Sequence, residues 1–139
     1  MLAMSGDAGR NWSRPRSISN GADRPLNPDL AIAGNGAIGV RFFDLRADRD
    51  GDQALSAQSW LRVSRDGRHA WQERRLGGGF DLRTAPVVSS GTPGRFLGEY
   101  QGLVGQPTGF AALFAQAQPQ ARIGPTDGFF TRVRLAGAG

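Results

Sequence analysis

The chain has 139 residues, 39% of them hydrophobic and 21% charged, the size of one small domain. Its longest apolar run, Phe110 to Ala115, falls far short of the ~20 residues of a membrane-spanning helix, and the absence of cysteine excludes disulfides, thiolate metal sites and cysteine nucleophiles. The net charge of +5 comes from arginine alone, interspersed with aspartate as in Phe43-Asp44-Leu45-Arg46-Ala47-Asp48-Arg49-Asp50, so no basic stripe for nucleic acid forms.

The opening residues MLAMSGDAGRNW turn polar too early for a secretion signal. Gly 21 and Pro 8 suit short strands and tight turns, and helical periodicity is nearly absent. Asp29 to Ala33, the turn Gly34-Asn35-Gly36 and Ala37 to Phe43 read as a hairpin. A loop follows over Asp48 to Ala57. Ser59 to Ser64 is the next strand, with Trp60 and Arg62 on one face and Leu61 and Val63 on the other. Gly77 to Gly94 reads as a second loop, opened by Gly77-Gly78-Gly79, which lacks the lysine and hydroxyl residue of a phosphate loop. Arg95 to Leu103, Gly109 to Gln116 and Phe129 to Leu135 complete the strands. The second of these has some helix propensity, but Gly109 and Gln118-Pro119-Gln120 leave too little length, and a buried strand is the better reading.

One motif occurs twice. Ser5-Gly6-Asp7-Ala8-Gly9-Arg10-Asn11-Trp12 and Ser64-Arg65-Asp66-Gly67-Arg68-His69-Ala70-Trp71 both fit S-x-D-x-x-x-x-W. The physical logic is a turn in which Asp accepts backbone amides of its own loop, Gly takes the left-handed conformation, and Trp packs back under the hairpin. The opposite reading makes both tryptophans exposed sugar-stacking platforms. This motif is the Asp-box, or BNR repeat, and the chain resembles the sialidase-like β-propeller superfamily. Trp12-Ser13-Arg14-Pro15, Asn27 to Ala33, Gly39 to Arg46 and Gly98-Glu99-Tyr100-Gln101-Gly102-Leu103 are similar to segments of bacterial exo-sialidase-like proteins. The second box departs from the pattern, with Arg68 in place of Gly and Ala70 in place of Thr.

The resemblance implies an all-β chain, a partial propeller of about two and a half four-stranded antiparallel blades, where complete propellers have ~4–8. Residues 1–26 would end a truncated blade and carry Ser5, Asp7, Gly9 and Trp12 as the first box. Residues 27–94 would form a second blade with Ser64, Asp66 and Trp71 as its box, between the third and fourth strands, plus the following loop. Residues 95–139 would form a last, incomplete blade. The family implies an exported protein without cofactor or metal, acting on carbohydrate, with missing blades or self-association covering the open sheets.

Sialidases of this superfamily hold the sugar carboxylate with three arginines and use a tyrosine nucleophile assisted by a glutamate. By that resemblance Tyr100 is the catalytic candidate; the alternative is a packing tyrosine with its hydroxyl on backbone. Glu99 is a substrate-binding candidate that points away from Tyr100 on a strand. Asp44 and Arg46 share one face at a strand end, open either to a ligand or to an internal salt bridge. Arg95 is a weaker candidate, with a solvated arginine as its alternative. Asp48-Arg49-Asp50-Gly51-Asp52 starts like a calcium loop but has its glycine at the fourth place instead of the sixth and Ser59 at the twelfth where a glutamate is required, and the single histidine, His69, reads as an exposed turn residue.

Overall fold

A computed structural model describes residues 1–19, 24–51, 53–88, 94–98, 101–120 and 122–136. The described chain is all-β, with one 3₁₀ turn at Leu82–Thr84. Strands β1 (Leu26–Ile32), β2 (Ile38–Asp44), β3 (Ser56–Ser64) and β4 (Gln72–Asp81) form an antiparallel sheet in chain order. Strands β5 (Val87–Val88) and β6 (Gly94–Arg95) make a short ladder, and β7 (Gly102–Gln106), β8 (Gly109–Ala117) and β9 (Thr126–Arg134) a second antiparallel meander. Residues 1–18 form a separate hairpin closed by an antiparallel bridge between Leu2 and Arg16.

The core lies between the two larger sheets. Alternation along β8 buries Phe110, Ala112, Phe114 and Gln116 on one face. Phe114 meets Phe43 of β2 edge-on at 6.0 Å, Phe43 meets Phe80 of β4 at 5.5 Å, and Phe129 stacks on Phe114 at 6.1 Å. Every residue of β2 is buried, because its other face, with Ile38, Val40 and Phe42, is also covered. Residues of the N-terminal hairpin lie on that side: Met4 sits against Gly67 beside Ile38, and Arg62 donates to the Ile18 carbonyl.

The segment Gly109–Ala117 is the buried strand expected, whereas two loop assignments need correction. Gly77-Gly78-Gly79 is not a turn between sheets but part of β4. Ser59 pairs with Leu76 while Gln58 pairs with Gly79, so Gly77 and Gly78 are extra residues in a bulge, and Gly77 takes φ +75°, which glycine alone adopts without strain. Ser56 and Ala57, assigned to a loop, start β3. The strand expected over Arg95 to Leu103 is interrupted: β6 ends at Arg95, Phe96 to Gly98 have no strand pairing, and β7 starts at Gly102.

The two sheets come close at Gly105 of β7, where a β-carbon would lie 1.9 Å from the Ile32 carbonyl oxygen. Gly105→Ala therefore has to push β1 and β7 apart. The expected loss is about 1–3 kcal/mol of unfolding free energy, the range for overpacking, read from urea unfolding.

Candidate functional site

At its C-terminal end β2 enters a network of four charged side chains. The register places Phe42 opposite Trp60 and Arg62 opposite Glu73, which gathers Asp44, Trp60, Arg62 and Glu73 on one face. Asp44 is fully buried. It accepts from the Trp60 indole N–H at 3.1 Å, from the Arg46 amide at 3.3 Å and from Arg46 Nε at 2.5 Å. Arg46 turns its Nη1 and Nη2 to the two oxygens of Glu73, and its guanidinium lies 4.2 Å above the Trp60 ring. Arg62, also buried, donates from Nε to Glu73 Oε2 at 2.5 Å.

Two carboxylates and two guanidiniums balance in charge. Burial works against the ionised form of Glu73, but the hydrogen bonds from Arg46 and Arg62 outweigh it and hold the carboxyl below its ordinary 4.5. Burial also opposes the charge on Arg46, and its bonds to Glu73 and Asp44 more than compensate, raising its pKa. Chemically the network locks strand ends together. Asp44 has no surface through which a substrate could meet its carboxylate.

A second constellation lies on the opposite face of β2. Arg41 is fully buried between the rings of Phe43, 4.0 Å from its guanidinium carbon, and Phe114, at 4.9 Å. Its Nη1 donates to Gln101 Oε1, while Nε and Nη2 have no partner among the described residues. Burial lowers its pKa to about 10, with the charge of Asp29 acting the other way. Asp29 accepts the amides of Leu30 at 2.8 Å and Leu103 at 2.6 Å. Asp29 and Gln101 also line a cavity of about 500 Å³, together with Arg95, Phe96 and Leu97. Arg95 donates to the Ala85 carbonyl at 2.9 Å.

The sequence candidates thus fall in two places. Asp44 and Arg46 are joined to each other, and Arg95 borders the cavity on the other side of the sheet. Glu99 and Tyr100 lie outside the described residues. Arg41, Arg62 and Glu73 were not singled out from sequence. Arg41 has a signal in hindsight, a lone charge inside the apolar run Gly39 to Phe43, but Glu73 shows its role only once β3 and β4 are in register.

The two Ser–Asp turns share the bond from the serine hydroxyl to the aspartate and a glycine amide on the serine oxygen, but place the remaining bonds differently: Ser5 accepts an amide four residues on and Ser64 one three residues on. In the first, Ser5 Oγ donates to Asp7 at 2.8 Å and accepts the Gly9 amide, and Asp7 accepts the amide and side chain of Asn11. In the second, which links β3 to β4, Ser64 Oγ donates to Asp66 at 2.9 Å and accepts the Gly67 amide, and Asp66 accepts the amides of Arg68 and His69. His69 is exposed and its Nδ1 lies 3.1 Å from Asp66 Oδ2. The tryptophans depart from the expected burial. Trp12 is 64% exposed, its indole N–H on the Gly9 carbonyl at 3.0 Å, and Trp71 is half-buried. The turns satisfy their polar groups locally and leave the Trp12 ring at the outer side of the hairpin.

The Asn11 amide and side chain, with Ser5, lower the Asp7 carboxyl to about 2. Carbon-13 NMR titration is expected to find its midpoint there, and a midpoint near 3.8 would mean an open turn. In the Asp48 loop, Asp48 accepts the Ser56 amide at 2.9 Å and pairs with Arg24 at 3.3 Å. Asp52 lies outside the described residues, and among those described no group of three or more His, Cys, Asp or Glu could hold a metal ion.

Comparison of the chain with protein-family models, with curated proteins and with solved structures finds no match.

Proposed function

We propose that the chain is the C-terminal portion of a sialidase-like, Asp-box β-propeller whose parent acts on terminal sugars of glycoconjugates. The observation that carries the reading is the place of the second Ser–Asp turn. It joins the third and fourth strands of a four-stranded antiparallel sheet, the position of the Asp-box in that superfamily, and the first turn repeats its serine-to-aspartate bond. Packing of the four-stranded sheet against the three-stranded sheet through Phe43 and Phe114 supports it further, as neighbouring blades stack in propellers. The sugar chemistry rests on resemblance, since a fold hosts many functions.

A second reading, a non-catalytic Asp-box propeller serving as a carbohydrate- or protein-binding scaffold, is favoured by one observation. Asp44 and Arg46, the described candidates that share a face, bond each other, and Arg46 also bonds Glu73.

The pure chain is expected to show no turnover of a fluorogenic sialoside, because the acid, the assisting glutamate and two arginines of the family's site come from other blades. Turnover would overturn this. A longer reading frame separates the two readings. With an F/Y-R-I-P-like arginine motif, an early aspartate and a mid-chain glutamate, its product should hydrolyse the sialoside; a product that binds the sialoside without cleaving it is the scaffold.

A further inference from the structure

The four-stranded sheet packs against the three-stranded sheet on one side, and on the other residues of the N-terminal hairpin lie over β2 and β3, while Leu30 and Ile32 of β1 stay 48% and 62% exposed. Among the described residues the three-stranded sheet is covered on one face only. Its outer face carries Val104 at 58%, Leu113 at 51% and Phe130 at 62% exposure. The register makes these one patch: Leu113 stands directly opposite Phe130, and Val104 sits one pair along, opposite Ala111. Scattered exposed apolar residues need no explanation, but a contiguous set on one sheet face marks an interaction surface. Ala111 keeps the patch flat between the larger side chains. In addition β9 ends the sheet, so among the described residues its outer edge is unpaired.

The charges around the patch are of one sign. The Arg132 guanidinium lies 5.6 Å from the Phe130 ring centre, and Arg134 follows on the same face, while Asp127 alternates to the other. A second copy of this chain fits poorly. It carries +5, meeting the same face would set Arg132 and Arg134 against themselves, and the exposed end hairpin offers Arg10, Arg14 and Arg16. We propose that the outer face of β7–β9, with the free edge of β9, docks an antiparallel β-sheet element of a partner polypeptide, apolar at its centre and rimmed by carboxylates. The apolar centre supplies affinity and the carboxylates, opposite Arg132 and Arg134, supply orientation and rate. The inference holds whether or not the parent acts on sugars.

The test uses two cyclised β-hairpin peptides with the same Val/Phe face, one flanked by Glu and one by Lys, each carrying a fluorophore and titrated with the whole chain by anisotropy. The Glu hairpin is expected to bind saturably and at least about tenfold tighter than the Lys hairpin. The double variant Arg132→Glu/Arg134→Glu should reverse that order, and Phe130→Ser should weaken the Glu hairpin by at least about tenfold with an unchanged circular dichroism spectrum and melting curve. Val104→Ser serves the same purpose if Phe130→Ser fails to fold. Absence of binding, equal binding of both hairpins, or binding indifferent to the patch variants would overturn the proposal. So would a dimer in sedimentation that Phe130→Ser dissolves, which would make a second copy the occupant.

Discussion

Phe43→Ala is expected to lower the unfolding free energy by about 3–5 kcal/mol, the cost of removing a large aromatic from a core. Phe43 has no exposed surface, and its ring is held by Phe80, Phe114 and the guanidinium of Arg41. The deletion leaves a cavity where both sheets meet. It also takes away the ring nearest a buried cation that is bonded at one of its three nitrogens among the described residues. Urea unfolding measures the change as a lower midpoint. A loss under about 1 kcal/mol, the scale of an ordinary surface substitution or less, would mean that the two sheets are not packed through Phe43. Trp71→Ala should cost clearly less, because Trp71 is half-buried rather than enclosed.

Glu73→Gln is the second large effect. The change leaves Arg46 and the buried Arg62 facing an uncharged amide, and breaking such a pair costs about 3–5 kcal/mol when fully buried. Glu73 keeps 21% of its side chain in water, so a loss near about 3 kcal/mol is expected. The pH dependence has a definite sign. Because the folded-state pKa of Glu73 is depressed, its ionised form stabilises the fold above the unfolded value near 4.5, and that contribution disappears as pH falls through the lower folded value. The stability gap between the wild type and Glu73→Gln should therefore be constant above about pH 5 and shrink below about pH 4.5. A gap that stays constant down to pH 3 would show that the carboxylate is not what holds the two arginines.

Strand content and most strand positions were legible in the sequence because period-two alternation and turn residues coincide, as in Asp29 to Phe43 and Gly109 to Gln116. The failures occur where one local rule competes with another. Three consecutive glycines are the strongest loop signal available, yet in β4 they form a bulge whose flanking residues keep their ladder partners on β3. Gly98, at φ +94°, breaks what reads as a continuous strand from Arg95. The aspartate bonds of the Ser–Asp turns were legible from their spacing because they are local, whereas the serine bonds were not read. Tryptophan burial could not, because it depends on what lies across from the ring. The charge network was half legible: Asp44 and Arg46 are two residues apart, but Glu73 and Arg62 join them only through the pairing of β3 with β4, which no local pattern reveals.

Hydrogen–deuterium exchange of the whole chain tests most directly that the sheets pack with β2 and β3 enclosed and with the outer face and edge of β7–β9 open. Amides of β2 and β3, paired on both sides and buried, are expected to exchange slowest, while the outward-pointing amides of β9, those of Phe130, Arg132 and Arg134, exchange at rates close to those of an unprotected edge. Protection of β9 equal to that of β2 in the isolated chain would show that its edge and outer face are already covered, and would contradict the open stack.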